Sequence, residues 1–203
     1  MTCAICDNSQ GNELFIAREM MLGTREKFEY FQCSQCKCLQ IKEIPADMAP
    51  YYPGDQYHSF AGPQMYFNNR LKNIVKGIRD HMVLSSGRAV RNLIIKWGKV
   101  DTLLPVVAEL SIKRSSRILD IGCGAGVLLY ALRNAGYKNV LGIDPFISAD
   151  ILYKHGLQIL KQSVGEHKGN YDIIMMHHSL EHMPNHYEVM RAVHQILQTG
   201  GRF

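Results

Sequence analysis

The sequence predicts an α/β protein with a Rossmann-like, mostly parallel sheet, preceded by a small cysteine-rich unit and a helical connector. A short apolar strand, RILDI, runs directly into the glycine-rich turn GCGAG and then into the helix-like stretch VLLYALRNAG. Five of the six cysteines fall within the first 38 residues, and helical patterns fill much of the region between. We therefore expect three segments, at residues 1–44, 45–112 and 113–203.

Composition indicates a soluble globular protein. The 203 residues are 46% hydrophobic and 20% charged, which allows a packed core. No apolar run approaches about 18 residues, and the amino terminus MTCAICDNSQ lacks the basic and apolar regions of an export signal. We therefore expect a cytoplasmic protein without a membrane span. A formal net charge of +5 is weak evidence for nucleic acid, which we do not expect as a partner.

The amino-terminal cysteines form two CxxC pairs, Cys3 with Cys6 and Cys33 with Cys36. Two such turns can aim four thiolates at one centre, and we predict a structural zinc site in a ribbon-like unit. Disulfides are the less favoured alternative because the chain has no secretory signal. A redox role is also less favoured because neither pair opens a helix after a buried strand. Cys38 is either a bystander or a substitute for Cys36.

The connector is rich in proline and aromatic residues over residues 45–67. These aromatic side chains either pack together or close over a site, with Tyr57 as a candidate contact. Apolar residues at three- and four-residue steps predict an amphipathic helix from Gln64 to Met82, and two further helices are expected over residues 87–97 and 104–110. The interleaved basic residues form a solvated face or, alternatively, contact a substrate.

The strand, glycine turn and helix of residues 117–136 form the βα unit of nucleotide-binding proteins. Glycines there allow backbone amides to approach a ligand that a Cβ would block. The next strand, VLGID, ends at Asp144, 22 residues after Gly122, where a carboxylate can accept hydrogen bonds from two ribose hydroxyls. Asp120 is poorly placed beside a pyrophosphate but can help to hold a cationic amino-acid group. We therefore expect a nucleoside cofactor with a cationic part.

Four motifs in order resemble the class I S-adenosylmethionine-dependent methyltransferases: ILDIGCGAG, VLGIDPF, YDIIMMHHSLEHMPN and LQTGGRF. The resemblance implies that the methionine part of the cofactor lies against Asp120, Gly122, Cys123, Gly124 and Gly126. It also implies roles near the ribose, the adenine and the transferred methyl group for five further residues: Asp144, Pro145, Phe146, Ser163 and His177. Glu166 is the acidic residue nearest to the expected adenine position.

The cysteine unit and the segment YYPGDQYHSF, placed before such a core, resemble the zinc-ribbon-bearing methyltransferases that act on nucleotide-linked sugars and polysaccharide precursors. In the members that methylate a sugar carbon, a Glu-His pair after the fourth strand takes part in proton abstraction, and Glu181 and His182 match that pair. The resemblance thus implies His182 as a candidate general base. A structural role or a substrate-binding role for His182 remains the alternative.

The stretch HSLEH, residues 178–182, also has the letters of a zinc-peptidase motif. His178 is expected at a strand end rather than on a helix, and only 21 residues follow His182, so we do not favour that interpretation. Some RNA 2′-O-methyltransferases hold a divalent ion with a similarly placed E-x-x-E-H, but His178 stands where that pattern has its first glutamate.

The leading hypothesis is therefore a small-molecule methyltransferase that uses S-adenosylmethionine, with a nucleotide-linked sugar or a polysaccharide or natural-product precursor as acceptor. A non-catalytic binding module and an RNA-directed methyltransferase are the alternatives. Residues 185–197 predict a helix, and Gly200 and Gly201 then turn into a fifth strand that reaches Phe203. Members of the family continue beyond this point, so we expect an incomplete sheet whose exposed side favours self-association.

Overall fold

The computed structural model describes residues 1–47, 49–51, 62–98 and 100–203. The chain divides into two compact units, one formed by Met1–Tyr57 with Met183–Met190 and the other by His58–His182 with Arg191–Phe203. Tyr57, the candidate contact in the aromatic segment, lies outside the described residues. Within the described ranges, no helix is both long enough and apolar enough to cross a membrane.

The first unit contains a three-stranded antiparallel sheet. Its strands pair in chain order, β1 (Glu13–Arg18), β2 (Lys27–Gln32) and β3 (Leu39–Ile41). Phe31 on β2 packs with Cys3 and Cys33 in a small core, and each of the three is at most 3% exposed. A core of this size buries little apolar surface.

Three helices precede the larger sheet: α1 (Arg70–Ser85), α2 (Arg88–Trp97) and α3 (Leu104–Glu109). The first begins later than the predicted Gln64, because Asn69 caps it by accepting a hydrogen bond from the Lys72 N–H at 3.1 Å. Residues Pro63–Met65 form a separate 3-10 turn instead. The other two helices lie within one residue of their predicted bounds.

The apolar stripe of α1 faces solvent. Its five members are between 44% and 76% exposed: Leu71, Ile74, Val75, Ile78 and Met82. The opposite side is buried and includes Gly77 and Asp80. The pattern therefore identified the stripe correctly, although an amphipathic helix usually turns such a stripe towards the core.

The second unit is built on a six-stranded sheet in the order β6-β7-β5-β4-β8-β9. All neighbouring pairs are parallel except β6 with β7. Its strands and its helix α4 are β4 (Ile118–Ile121), α4 (Val127–Asn134), β5 (Val140–Ile143), β6 (Ile151–Leu152), β7 (Gln158–Leu160), β8 (Tyr171–Met175) and β9 (Leu197–Arg202). The helix α5 (His186–Ile196) belongs to this unit only from Arg191 onwards. The parallel strands correspond to the predicted Rossmann-like sheet, while the antiparallel β6 was not predicted.

The central strand β4 is buried at all four positions, as expected for a strand with neighbours on both edges and cover on both faces. Leu129 and Leu132 of α4 pack into the same core as Ile118 and Ile159. This packing fixes the carboxyl ends of β4, β5 and β8 along one edge of the sheet, where ligands of open α/β sheets bind.

The last strand starts earlier than predicted. Leu197 pairs with Tyr171, whereas Arg202 pairs with Ile173, so four residues, including Gly200 and Gly201, bulge between two points of pairing. The predicted glycine turn is present, but it interrupts β9 instead of preceding it.

Candidate functional site

The glycine turn between β4 and α4 has a backbone that only glycines adopt easily. Gly122, Gly124 and Gly126 have φ of +73°, +54° and +74°. Space is limiting as well: a Cβ on Gly122 would lie 3.0 Å from Ser179 Oγ, and one on Gly126 would lie 3.0 Å from Ile159 Cγ1. These glycines therefore serve both the turn and its close packing.

Several hydrogen bonds hold this turn in place. Gly122 N–H donates to the Ile143 carbonyl at 2.8 Å, and Gly124 N–H donates to Asp144 Oδ2 at 2.8 Å. The other oxygen of Asp144, Oδ1, accepts from Phe146 N–H at 2.8 Å. Asp144 is thus oriented by backbone donors at the end of β5, in the position predicted for a ribose-binding carboxylate.

Two residues that the sequence did not single out also hold the turn. The Tyr153 hydroxyl donates to the Ala125 carbonyl at 2.7 Å, and the Ser179 hydroxyl donates to the Ile121 carbonyl at 2.8 Å. Both hydrogen bonds are buried and join segments far apart in sequence. The signals available in the sequence were weak: a small residue within HSLEH and a tyrosine after an unpredicted strand.

Asp120 and Asp144 form a buried pair of carboxyl groups at the edge of the sheet, only 4% and 6% exposed. Burial, with a further contribution from the negative charge of Asp144, raises the pKa of Asp120 to about 8. A cation placed beside this pair would favour the ionised carboxylates and relieve their repulsion. The pair therefore fits a ligand with a positive charge.

Three other predicted site residues, Cys123, Phe146 and Ser163, differ from one another in exposure and in contacts. Cys123, in the turn, is half-buried, and burial raises the pKa of its thiol, which therefore stays protonated. Phe146 follows β5 after Pro145 and is 79% exposed. Ser163 is held by Glu166, whose Oε2 accepts from the Ser163 N–H at 3.0 Å and from its hydroxyl at 2.7 Å.

The segment after β8 places its histidines in different environments. His177 is half-buried, and its buried Nε2 has no hydrogen-bond partner among the described residues. Burial is the largest cause that lowers the pKa of His177, so the ring is neutral near pH 7 and able to accept a proton. His178 has a φ of +51° and is exposed, with Nδ1 3.7 Å from Glu181 Oε1.

Glu181 and His182 lie on the exposed 3-10 turn Leu180–His182. The His182 N–H donates to the Ser179 carbonyl at 3.1 Å, so the turn is attached to the residue that packs on Gly122. This segment therefore lies close to the glycine turn. The Glu-His pair follows the strand end as the sequence predicted.

In the first unit, the sulfur atoms of Cys3, Cys6, Cys33 and Cys36 all lie within 4.8 Å of one another. Cys3 Sγ is 3.5 Å from Cys36 Sγ, and Cys6 Sγ is 3.6 Å from Cys33 Sγ. Four sulfurs at about 2.3 Å from a tetrahedral zinc ion would be roughly 3.8 Å apart, so the cluster fits that ion and no disulfide is formed. Cys38 is not a member of the cluster.

The two CxxC turns have the same backbone geometry. Asp7 N–H donates to the Cys3 carbonyl and Lys37 N–H donates to the Cys33 carbonyl, each at 3.0 Å. Asp7 and Lys37 also share a positive φ, of 58° and 63°. In the second turn, the hydrogen bond from the Cys36 N–H is the largest cause that lowers the pKa of Cys33, to about 6, which favours the thiolate that binds a metal ion.

The family model described as a methyltransferase domain matches residues 97–203. The ubiquinone biosynthesis O-methyltransferase of Bordetella avium is 35% identical over 96 residues, which cover 42% of this chain and 39% of that protein. The enzyme of the same description from Escherichia coli O139:H28 is 28% identical over 95 residues, covering 42% and 40%. The chain thus spans about two fifths of the length of these relatives.

Proposed function

The chain belongs to the family of methyltransferase domains, and on this premise we propose that it binds S-adenosylmethionine and serves methyl transfer to an oxygen of a small-molecule acceptor. The observation that carries the proposal is the buried carboxyl pair Asp120 and Asp144 beside a turn of three positive-φ glycines. A sulfonium and an α-ammonium group provide the positive charge that this pair favours. Bound S-adenosylmethionine supplies an electrophilic methyl group.

Different residues at the carboxyl edge of the sheet are assigned to different parts of the cofactor. Asp144, already oriented by two backbone N–H groups, has lone pairs left for ribose hydroxyls. Phe146, 79% exposed and next to Pro145, is assigned to the adenine, together with the residues near Ser163. Asp120, Cys123 and the glycines surround the amino-acid part. Because Glu166 is engaged with Ser163, we do not assign it to the adenine amino group.

Proton removal from the acceptor is assigned to His182, with Glu181 beside it. His182 is exposed on a short turn, and histidine side chains commonly serve as general bases. His177 is the second candidate, because its buried Nε2 lacks a partner among the described residues and its lowered pKa keeps it neutral.

The proposed class of methyl acceptor rests only on how the relatives are described. The relatives named above are O-methyltransferases, which favours an oxygen acceptor over a carbon acceptor. The nucleotide-linked sugar suggested by the amino-terminal motifs has no support among these relatives and stays a prediction. A non-catalytic binding module is the second functional class, and it differs in having cofactor affinity without turnover.

A structural zinc ion on Cys3, Cys6, Cys33 and Cys36 is the second part of the proposal. The sulfur distances, the matching turns and the small apolar core of this unit support it. A closed four-sulfur site leaves no open coordination position, so its role is to stabilise the unit.

The first test is calorimetric titration of S-adenosylmethionine and S-adenosylhomocysteine into the 203-residue chain. We expect binding of both, and at least tenfold weaker binding by Asp144→Ala with an unchanged fold by circular dichroism. Absence of binding by a well-folded chain would refute the cofactor assignment.

The second test compares the turnover of His182→Asn with that of His177→Asn. We expect His182→Asn to lower kcat while leaving cofactor Kd unchanged. Unaltered turnover in His182→Asn together with a loss in His177→Asn would transfer the role of base to His177. Cofactor binding without any turnover across candidate acceptors would favour the binding module.

A further inference from the structure

Two neighbouring helices turn large apolar side chains towards solvent. The α1 stripe is joined by Val90, Leu93 and Trp97 of α2, which are 49%, 59% and 81% exposed and follow the same three- and four-residue spacing. We call these eight residues the α1–α2 face: Leu71, Ile74, Val75, Ile78, Met82, Val90, Leu93 and Trp97. Contiguous exposed apolar surface of this kind marks an interaction site more often than isolated exposed residues do.

Both helices bury a charged side chain as well as apolar ones. Asp80 of α1 is 2% exposed and pairs with Arg79 at 2.6 Å, and Arg91 of α2 is 6% exposed and pairs with Glu109 at 2.9 Å. These charged groups lie inward, where burial is costly, beside the core residues Val83 and Leu84, while the large apolar residues of the α1 stripe remain exposed. This arrangement makes sense if the outward face is not permanently in water.

The two stripes belong to one surface region. Only Ser86 and Gly87 separate α1 from α2, so the two helices are joined by a short turn. At the far end, a Cβ on Gly98 would lie 3.3 Å from Arg79 Cδ, next to the middle of the α1 stripe. Trp97 therefore lies at the end of α2 that approaches α1.

The charge around this face selects the partner. Residues 70–98 contain seven lysines and arginines and a single acidic residue, Asp80, which is buried and paired. Five basic residues remain around the face: Arg70, Lys72, Lys76, Arg88 and Lys96. Of these, Arg88 lies 3.4 Å from Glu109, and Lys76 donates to the Tyr66 carbonyl. A second copy of the chain would bring like charges together, whereas an anionic partner would neutralise them.

The shape of the face favours a lipid surface over a folded acidic protein. The depression at Leu71 and Val75, between Lys72 and Lys76, is shallow and open, and among the described residues it offers no enclosed pocket for a buried anchor residue. A bilayer interface needs no such pocket. It takes aliphatic side chains and a tryptophan into the headgroup boundary while lysines and arginines contact anionic headgroups.

We propose that the α1–α2 face docks the protein peripherally on an anionic phospholipid surface. This inference does not depend on the proposed methyl transfer. Peripheral docking also requires no spanning helix, since the helices lie in the plane of the interface.

The test is flotation of the 203-residue chain with equimolar phosphatidylglycerol–phosphatidylcholine vesicles, against pure phosphatidylcholine vesicles as reference. We expect binding to the anionic vesicles that weakens with added salt. The double variant Ile78→Ser with Trp97→Ser should lose at least about tenfold in partition, because it removes two exposed apolar anchors. Lys72→Gln with Lys96→Gln should lose about 25-fold on anionic vesicles only, at roughly fivefold for each charge.

A matched control is Leu152→Ser, which removes an equally exposed leucine, 72% exposed, from β6. It should bind vesicles like the unmodified chain. All variants change exposed side chains, so circular dichroism and the melting temperature should stay close to the unmodified values.

Three outcomes would overturn the proposal. The first is no flotation with anionic vesicles. The second is flotation that Leu152→Ser weakens as much as the face variants do. The third is a concentration-dependent dimer, seen by analytical ultracentrifugation, that the face variants abolish while vesicle binding is absent; this would assign the face to a second copy.

Discussion

Cofactor affinity should depend steeply on pH through Asp120. In the free protein this carboxyl has a pKa of about 8, against an ordinary value of 3.8, because it is buried beside Asp144. It therefore holds its proton at pH 7. A cationic ligand needs the ionised carboxylate, so binding should release close to one proton. Below the raised pKa, affinity should increase about tenfold per pH unit, or roughly 100-fold between about pH 5 and pH 7.

The assay is calorimetric titration of S-adenosylhomocysteine at several pH values, in buffers with different ionisation enthalpies. S-adenosylhomocysteine keeps a cationic α-amino group over this range. The difference between buffers reports the number of protons released. In Asp120→Asn the side chain cannot ionise, so Kd should be weak and nearly independent of pH.

The pH dependence of folding stability provides an independent check on the raised pKa of Asp120. The folded chain keeps the Asp120 proton up to about pH 8, whereas the unfolded chain loses it near 3.8. The folded state thus binds more protons, and this group lowers stability as pH rises through that window. Asp120→Asn should remove that loss, while Glu43→Gln, an exposed carboxyl in the other unit, should not. A Kd that is flat between pH 5 and pH 7, or an equal slope in Asp120→Asn, would refute the reasoning.

Three further predictions concern packing, loop support and the metal site. Gly142→Ala should destabilise the chain by about 1–3 kcal/mol in urea unfolding, because its Cβ would overlap Cys123 Sγ inside the core. Tyr153→Phe should cost about 1 kcal/mol, because the buried Ala125 carbonyl loses its donor, and it should weaken S-adenosylmethionine binding in calorimetry. Cys36→Ser, or chelation, should lower zinc content by elemental analysis and expose the amides of β1–β3 to hydrogen exchange.

Each of these has a matched control in the same chain. Gly165→Ala should be neutral, because nothing lies within 4 Å of its Cβ. Tyr66→Phe, at an exposed tyrosine, should leave stability and affinity unchanged. Cys38→Ser should retain zinc because Cys38 stands outside the cluster. Equal effects in a variant and its control would contradict the corresponding prediction.

The parts of the site that sequence could predict are those set by local chemistry. The glycines at 122, 124 and 126 need positive φ, and the acid that ends β5 follows at a fixed distance along one βα unit. The cysteine pairs likewise carry their geometry in a two-residue spacer. Such features depend on neighbours in the chain, so the pattern alone is sufficient.

What sequence missed depends on contacts between distant segments. Ser179 and Tyr153 support the glycine turn across 58 and 28 residues, and nothing in their local pattern identifies a partner. The apolar stripe of α1 illustrates the same limit in another form. Periodicity shows which side chains share a face, but which face is buried is decided by the rest of the fold.

The hydrogen bond from the Tyr153 hydroxyl to the Ala125 carbonyl connects β6, at the edge of the sheet, to the glycine turn that follows the inner strand β4. Tyr153 follows β6 directly, and its backbone closes the turn to β7 through the Gly156 N–H and the Leu157 carbonyl. Changes in the length or twist of the β6–β7 hairpin would therefore reposition the Tyr153 hydroxyl and, with it, the glycine turn. A substitution in this hairpin can therefore alter the glycine turn without changing any residue of the turn itself.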